Sequence, residues 1–297
     1  MAIINFGSLN YDYVYQVPHF SGGNETIRSR QTRTDFGGSG LKQSCALAQA
    51  GELVHHAGLI GQNGLPLKDF LTQSGVNTDL LQTCTAPQGH CILQVTPNKE
   101  RAALVYGGSN SEITPDFIDR CLEAFGHEDF LLVQNEITNI PYLIDTAYEK
   151  GMRILFNTSP VDEDIFRSAC NKCEWLIMNN TECMEIADCD ELTTAFSKLQ
   201  KQYPRCNILV TMGEEGAICY YKGNVYVQNA YPVSVVDIVN SGDAFTGYFI
   251  AAFIHGLPIE ECLDLGSRVG AIAVSRPGGA SAFASYPTLE QVRDWEF

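Results

Sequence analysis

Short apolar runs separated by helix-length stretches recur along most of this chain, and this alternation constrains its fold most strongly. Runs of this kind are typical of strands buried on both faces of a parallel sheet, where the connections are helical. They are Ile3–Phe6, Val54–Leu59, Phe130–Val133, Ile154–Phe156, Leu176–Met178 and Ile208–Thr211. Helix starts are indicated at Thr114-Pro115, at Pro258 and at a capping box from Thr288 to Gln291. We predict a three-layer α/β/α fold with a mostly parallel central sheet, in a single domain over residues 1–297.

Two segments break the alternation and predict a second, smaller sheet. Tyr13–Val17 and Thr26–Phe36 have the pattern of strands with no helix between them. Cys91–Thr96 and Arg101–Tyr106 flank a Pro-Asn-Lys-Glu turn, which is typical of a β-hairpin. Because such strands join a crossover sheet poorly, we predict a discontinuous β lid from about 11–36 and 88–108.

Charge and composition exclude several classes of function. The chain has 19 Lys+Arg against 35 Asp+Glu, a net charge of −16. Nucleic acids and anionic membranes both select a basic surface, so neither is an expected partner. The N-terminus lacks the basic region of a signal peptide, and no apolar run reaches the ~20 residues that span a bilayer. The 11 cysteines are irregularly spaced, which favours free thiols in a reducing compartment. We therefore expect a cytoplasmic protein.

The residues before Asp243 carry the clearest chemical signal. Asn240, Ser241 and Gly242 lead into the apolar stretch Ala244–His255. Small residues at a helix start present backbone N–H groups to an anion, and Asn240 and Gly242 tolerate left-handed angles, which predicts a concave amide nest. Asp243 either caps this helix or accepts the proton of a hydroxyl that attacks phosphorus.

Side-chain cations are missing from this part of the sequence. No Lys or Arg lies between Lys222 and Arg268. A phosphate bound there would depend on backbone amides, on the helix dipole and on a metal ion. Two common classes of enzyme are excluded by motif. The chain has no G-x-x-x-x-G-K-[ST] loop, which P-loop enzymes carry, and no G-x-S-x-G elbow, which holds a nucleophilic serine.

The segment around Asp243 resembles the C-terminal signature of the ribokinase-like (PfkB) family of carbohydrate kinases, which usually reads D-T-x-G-A-G-D-x-F. The resemblance extends in order over essentially the whole chain. Each further motif is weak alone, and their ordered combination is specific. They are Gly7–Asp12, Gly37–Gly40 with the run that follows it, the hairpin within 89–110, Gln134–Glu136, Asn157–Pro160, the N-x-x-E of Asn179–Glu182 and the T-x-G-x-x-G of Thr211–Gly216.

The resemblance implies ATP-dependent phosphorylation of a hydroxyl on a small carbohydrate. Asp243 would be the general base, beside an anion hole formed by Asn240, Ser241 and Gly242. The implied sugar-binding residues are Asn10, Asp12, Gly37, Gly38, Lys42 and Glu136. The implied nucleotide-binding residues are Asn179, Thr211, Gly213 and Gly216. Glu182 would orient Mg²⁺ through water, and Asp237 with the Val239 carbonyl would form part of a K⁺ site.

Three positions depart from the family pattern. Lys42 stands where an Asn is usual, Ile238 replaces a Thr and Asn240 replaces a Gly or Ala. Lys42 either binds an acidic sugar or a substrate phosphate, or forms a salt bridge with a neighbouring carboxylate. Ribose is the first substrate expected from the resemblance.

Two other functions and one partner stay open. A nucleoside kinase of the same family would place a base against Tyr11, Tyr13 and Phe36, and a catalytically weak sugar-binding protein would keep the fold. The lid in the resemblance also implies a homodimer. Its arginines either form a solvated edge or contact an anionic substrate or the second subunit; they are Arg28, Arg30 and Arg33.

Overall fold

The computed structural model describes residues 1–98 and 100–295. Its strands are β1 (Ile3–Phe6), β2 (Asn10–Gln16), β3 (Gln31–Gly37), β4 (Val54–Ile60), β5 (Leu81–Thr83), β6 (Gly89–Val95), β7 (Arg101–Tyr106), β8 (Phe130–Gln134), β9 (Arg153–Asn157), β10 (Trp175–Asn179), β11 (Asn207–Thr211), β12 (Ala217–Tyr221) and β13 (Asn224–Gln228). Its α-helices are α1 (Ser39–Ala50), α2 (Leu65–Gln73), α3 (Pro115–Leu122), α4 (Ile140–Glu149), α5 (Glu163–Ala169), α6 (Asn180–Ala187), α7 (Leu192–Gln202), α8 (Ser241–Ile254), α9 (Ile259–Val274) and α10 (Leu289–Arg293).

Nine strands form one large sheet in the order β13-β12-β11-β10-β9-β8-β1-β4-β5. The pairings from β11 through to β5 are parallel, and the hairpin β12–β13 extends the sheet antiparallel at one edge. Every apolar run identified in the sequence lies in one of these strands. The predicted mostly parallel sheet is therefore confirmed.

Helices cover both faces of this sheet because successive strand residues point to opposite sides. Ile3 packs in a core with α1, α2, α8, α9 and α10, whereas the next residue, Ile4, packs in a core with α3 to α7. Trp175 and Leu176 divide between the two cores in the same way. This arrangement gives the three layers expected from the sequence.

Two of the predicted helix starts show why their residues stand there. Thr114 caps α3 by accepting a hydrogen bond from the Phe117 amide, with Pro115 in the first helical turn. Thr288 and Gln291 form a reciprocal capping box at the start of α10. Both contacts satisfy backbone N–H groups that a helix start leaves without an intrahelical acceptor.

A separate small sheet has the order β3-β2-β6-β7. β2–β3 and β6–β7 are antiparallel pairs, and β2–β6 is parallel. The prediction that a strand begins at Thr26 is wrong, because β3 begins at Gln31. The Ser29 hydroxyl bonds to the carbonyls of Gln16 and Gln31, and such a side-chain bond competes with strand pairing.

Three residues lie outside the described part of the chain. They are Lys99, which falls in the predicted hairpin turn, and Glu296 and Phe297. Within the described residues, no helix is both long enough and apolar enough to cross a membrane. All eleven cysteines, each of them described, carry free thiols.

Candidate active site

The candidate residues gather at the carboxyl ends of the parallel strands. Asn10 follows β1, Glu136 follows β8, and Asn179 and Thr211 end β10 and β11. The loops of a parallel sheet leave side chains free at this edge, where α/β proteins bind their ligands. The N-terminus of α8, which carries Asp243, completes the site.

Asp243 is held at this edge by helix α1. Gln43 Nε2 donates to Asp243 Oδ1 at 3.0 Å. The two helices approach closely one turn later, where a Cβ added to Gly247 would lie 2.3 Å from the Ala46 Cβ. Because only glycine permits this approach, Gly247 sets the distance between Gln43 and Asp243.

The environment of Asp243 alters its acidity. Its side chain is half-buried, and burial raises the pKa of its carboxyl to about 6, although Lys42 and Gln43 oppose the rise. A carboxylate with such a pKa is ionised at neutral pH and still accepts a proton readily. The N-cap residue of α8, Asn240, makes no side-chain capping hydrogen bond, and Asp243 lies in the first turn.

A buried chain of polar groups continues behind Gln43. Gln134 Nε2 donates to Gln43 Oε1 at 2.8 Å and to Asn5 Oδ1 at 3.0 Å. Asn5 Nδ2 donates to the Ser44 hydroxyl, which lies 2.8 Å from His56 Nδ1. Burial lowers the pKa of His56 to about 4, so its imidazole is neutral at pH 7. These groups lock the Gln43 amide in one orientation.

Lys42 forms an ion pair with Asp12, near the start of α1. Its Nζ lies 3.4 Å from Asp12 Oδ2, and the two side chains are only 10% and 14% exposed. Burial alone would lower the pKa of Lys42, but attraction to Asp12, Asp243 and Glu136 outweighs it and the pKa is raised. Lys42 is therefore a buried ammonium group among three carboxylates.

Asn10 and the two glycines line the same region. Asn10 is buried, and its Oδ1 accepts a bond from Asn110 Nδ2 at 2.8 Å. A Cβ on Gly37 would lie 2.1 Å from Asp12 Oδ1, so the bare backbone is needed there. Gly38 has a φ of 93°, which favours glycine, and it precedes the first turn of α1. This backbone brings the N-terminus of α1 beside Asp12.

Glu136 is tied to the start of α1. Its Oε1 accepts a bond from the Ser39 hydroxyl at 2.7 Å, and its Oε2 accepts bonds from the Ser39 amide at 3.1 Å and from the Ser8 hydroxyl. Both oxygens therefore hold Gly38-Ser39 in place. Glu136 thus joins the end of β8 to the N-terminus of α1.

The structure contradicts one part of the anion-nest prediction. Asn240 has φ −101° and ψ −3°, and neither it nor Gly242 adopts the left-handed conformation. Helix α8 begins at Ser241, so Gly242 takes helical angles instead. The amides of Ser241, Gly242 and Asp243 form the first turn, where N–H groups lack intrahelical acceptors. The anion-facing element is thus a helix N-terminus, and space beside Gly242 is open.

The candidate nucleotide residues lie on neighbouring strands. Asn179 and Thr211 are paired across β10 and β11. Asn179 and Glu182 form a reciprocal capping box, with Asn179 N donating to Glu182 Oε2 at 2.9 Å. Gly213 and Gly216 have positive φ angles in the turn after β11, and an added Cβ on Gly213 would meet no atom within 4 Å. Gly213 thus borders open space, whereas Gly216 is buried against the Gln228 carbonyl.

Asp237 faces the small sheet. Its Oδ1 lies 2.6 Å from Arg101 Nη2 and accepts a bond from the Val239 amide at 3.0 Å. Its Oδ2 accepts a bond from the Gly278 amide at 3.3 Å and lies 3.7 Å from Arg33 Nη2. These contacts pair both carboxylate oxygens with donors from the protein.

Sequence reasoning missed the partners of Asp243 and Asp237. Gln43 lies in the run that follows the glycine signature, and a buried amide in the mostly buried helix α1 is a signal for a polar network. Arg101 begins the second strand of the predicted hairpin, a position that indicates only pairing within the small sheet. Its contact with Asp237 joins residues 136 positions apart in sequence, and a local sequence pattern cannot predict such a contact.

A half-buried carboxylate beside a helix N-terminus, at the carboxyl edge of the large sheet, is an arrangement suited to phosphoryl transfer to a hydroxyl. The comparisons agree. The model of the pfkB family of carbohydrate kinases matches residues 2–285. The chain belongs to this family and is an ATP-dependent carbohydrate kinase.

Known relatives cover nearly the whole chain. A ribokinase from Haemophilus influenzae is 24% identical, over 97% of this chain and 96% of its own. A deoxyribokinase from Salmonella typhi is 26% identical, over 99% of this chain and 98% of its own. The crystal structure of a ribokinase from Cryptococcus neoformans in complex with ADP has a TM-score of 0.87 at 27% identity, and 99% of each chain is covered. The family and the fold predicted from the sequence are confirmed.

Proposed function

We propose that this kinase transfers the γ-phosphoryl group of ATP to a hydroxyl of a small uncharged sugar, with Asp243 as general base. The observation that carries the proposal is the half-buried Asp243 carboxylate, which has a raised pKa and is oriented by Gln43. It lies within the electrostatic reach of Lys42 and Asp12, the residues proposed to bind the sugar.

The charges around this cluster favour an uncharged substrate. Three carboxylates, those of Asp12, Glu136 and Asp243, surround a single ammonium group, that of Lys42, which is already paired with Asp12. A sugar acid or sugar phosphate would add a further negative charge to this group. Ribose and deoxyribose, the sugars named for the two relatives above, are the first candidates.

The mechanism follows from the proposed roles. Asn10, Asp12 and the Gly37-Gly38 backbone bond the sugar hydroxyls, and Asp243 takes the proton of the attacking hydroxyl. The first-turn amides of α8 then stabilise charge on the transferring group.

Glu182 fits a role toward Mg²⁺ through water. One of its oxygens caps α6, and the other is not used by the capping box. The described residues contain no cluster of three or more His, Cys, Asp or Glu that would hold a metal ion by themselves. Mg²⁺ is commonly held by substrate phosphates with one or two carboxylates, and when bound it neutralises phosphate charge. Asn179, Thr211, Gly213 and Gly216 are proposed to contact the nucleotide.

The small sheet is proposed to act as a lid and as a dimer surface. Strand β7 is an edge strand of this sheet, and Leu104, Val105 and Tyr106 on it are 68%, 57% and 49% exposed. An exposed apolar edge strand is suited to pair with a second copy of the chain.

The free thiols support a reducing, cytoplasmic setting.

A nucleoside kinase is the second candidate, because aromatic side chains lie on β2 and β3, the strand pair that also carries Asp12. The Tyr11 and Phe36 rings are 5.9 Å apart, and Phe36 and Phe70 are 5.0 Å apart. An aromatic surface of this kind suits stacking of a base. A sugar-binding protein of low activity would retain ligand binding without turnover.

One experiment separates these functions. ATP and Mg²⁺ are supplied with a panel of pentoses, hexoses, sugar acids, sugar phosphates and nucleosides, and ADP formation is measured. Turnover with an uncharged sugar, and its loss by at least ~10³-fold in Asp243→Asn with sugar binding retained, supports the proposal. Asp69→Asn, which changes an exposed carboxylate on α2, is the matched control. Preference for nucleosides, or unchanged turnover in Asp243→Asn, would overturn it.

A further inference from the structure

We propose that the guanidinium group of Arg101 neutralises the Asp237 carboxylate, in the loop that precedes α8, and so takes the place of a monovalent metal ion. The same contact makes the loop that leads into α8 depend on the position of the small sheet. The catalytic consequence rests on the proposed function, whereas the contact itself does not.

The first observation is that both carboxylate oxygens of Asp237 already have partners within the protein. Arg101 Nη2 lies 2.6 Å from Oδ1, and the side chains of Arg101 and Asp237 are 26% and 17% exposed. A close, partly buried pair of this kind is screened little by solvent. Arg33 adds a second guanidinium at 3.7 Å from Oδ2. Arg33 is also paired with Asp35, whose Oδ2 lies 2.8 Å from its Nε, so Arg101 is the principal cation of Asp237 and Arg33 is shared.

The second observation is that a neighbouring carbonyl is also engaged. Asn240 Nδ2 donates to the Gly279 carbonyl at 2.6 Å, beside Gly278, whose amide donates to Asp237. A Cβ on Gly278 would lie 2.9 Å from Asp237 Cγ, so the loops pack tightly. Asn240 Oδ1 has no partner among the described residues, but one amide oxygen does not replace the hydration shell of a cation. A metal ion would also lie beside a guanidinium of like charge. The residues present therefore do not fit the K⁺ site implied by the family.

The third observation links the two sheets. Arg33 lies on β3 and Arg101 on β7, the two edge strands of the small sheet, and both reach Asp237. Asp237 Oδ1 also accepts the Val239 amide, directly before Asn240, the N-cap of α8. Movement of the small sheet away from the body would withdraw both guanidinium groups from this loop. Arg101 is accordingly a positioning residue, acting on the reacting groups through Asp237 and the start of α8.

The first test uses kinetics. Wild-type turnover is expected to be equal in KCl, NaCl and N-methylglucamine chloride at constant ionic strength. Arg101→Ala is expected to lower kcat by about 10²-fold, a usual cost of a small misplacement, with little change in KM for the sugar. Millimolar guanidinium should restore part of that loss, and Arg101→Lys should retain more activity than Arg101→Ala. Arg30→Ala, which changes an exposed arginine of the same sheet region, is the control.

The second test needs no turnover and so stands if the proposed substrate class is wrong. Hydrogen exchange of the amides in 238–243 should be faster in Arg101→Ala and in Asp237→Asn, but not in Arg30→Ala. Thermal unfolding of the wild-type protein should not distinguish K⁺ from Na⁺. The inference is overturned by K⁺-specific activation or stabilisation of the wild type. It is equally overturned if Arg101→Ala matches Arg30→Ala in both kcat and exchange.

Discussion

Gln43 Nε2 donates a hydrogen bond to Asp243 Oδ1 at 3.0 Å, across 200 residues of sequence. The bond comes from a neutral amide, which stabilises the carboxylate and, with Lys42, opposes part of the rise in pKa that burial causes. It engages one carboxylate oxygen, Oδ1. Gln43 thus orients the proposed base and moderates its acidity.

The activity of the enzyme should fall in mildly acidic solution. Because burial raises the pKa of Asp243 from 3.8 to about 6, protonation below that pH removes the proton acceptor. We expect kcat/KM to decline about tenfold per pH unit at pH values below the pKa of Asp243. A pH–rate profile from pH 5 to 8 checks this, with coupling enzymes shown not to be limiting. A limb near pH 4 would show that Asp243 titrates like an exposed carboxylate.

The same shift has a defined effect on stability. The folded-state pKa lies above the ordinary value, so the folded protein binds an extra proton between pH 3.8 and about 6. The stabilising contribution of Asp243 is therefore present below that window and is lost as the pH rises through it. Asp243→Asn should remove this contribution. Urea unfolding should show that the stability at pH 4 relative to that at pH 7 is lower in the variant than in the wild type.

Replacement of Gln43 should move the acidic side of the pH–rate profile to higher pH. Gln43→Leu removes a hydrogen bond to the ionised carboxylate, and so the pKa of Asp243 should rise further. Loss of the buried bond should also cost about 1–3 kcal/mol of stability. Gln49→Leu is the matched control, because Gln49 lies on the same helix and donates instead to the Tyr286 carbonyl. An unchanged limb in Gln43→Leu would contradict the role given to this bond.

The Lys42–Asp12 pair should be strongly coupled. Lys42→Met leaves a buried carboxylate without its partner and should cost about 3 kcal/mol in the free energy of unfolding. The double variant Lys42→Met, Asp12→Asn should recover most of that loss. The exposed pair of Arg167 and Glu163, 70% and 55% exposed, provides the comparison, and Arg167→Met should change stability by about 0.5 kcal/mol or less. Independent, additive effects at Lys42 and Asp12 would exclude a functional ion pair.

Glu182 can be tested for its two roles separately. Glu182→Gln preserves the capping box, because Gln also suits its third helical position, but removes the charge. We expect an unchanged Tm and a higher Mg²⁺ requirement, measured by titrating Mg²⁺ at fixed ATP. Glu182→Ala should lose both functions. Gln291→Ala in the capping box of α10 controls for a purely structural effect, and an equal Mg²⁺ requirement in Glu182→Gln and wild type would assign Glu182 to capping alone.

The sequence carried enough information for the layers, the strand runs and the position of the site. Strand period and helix starts are local properties, and the residues proposed for the site follow strand ends by topology. The nest at Asn240 and Gly242 was wrong because helix α8 begins earlier than its apolar stretch, which imposes helical angles on Gly242. A residue type that tolerates left-handed backbone angles does not have to adopt them, because packing selects the conformation.

The missing part of the prediction concerns charge partners. Nothing near Asp237 in sequence indicates that it meets Arg101, and nothing near Lys42 selects Asp12 over the other carboxylates. Such pairings follow from how the small sheet rests on the body, a tertiary property. The prediction of alternatives for Lys42 nevertheless included a salt bridge with a neighbouring carboxylate, which is what the structure contains.

The 200-residue span between Gln43 and Asp243 also bears on how the enzyme is made. Asn240 contacts Gly279, and Glu136 contacts Ser39, so the machinery joins parts from both ends of the chain. Contacts of such sequence separation form late, because closing long loops is entropically slow. A partly synthesised chain lacks α8 and therefore has no competent base. During refolding, helix content should return before activity, and a nascent chain on the ribosome consumes no ATP until it is nearly complete.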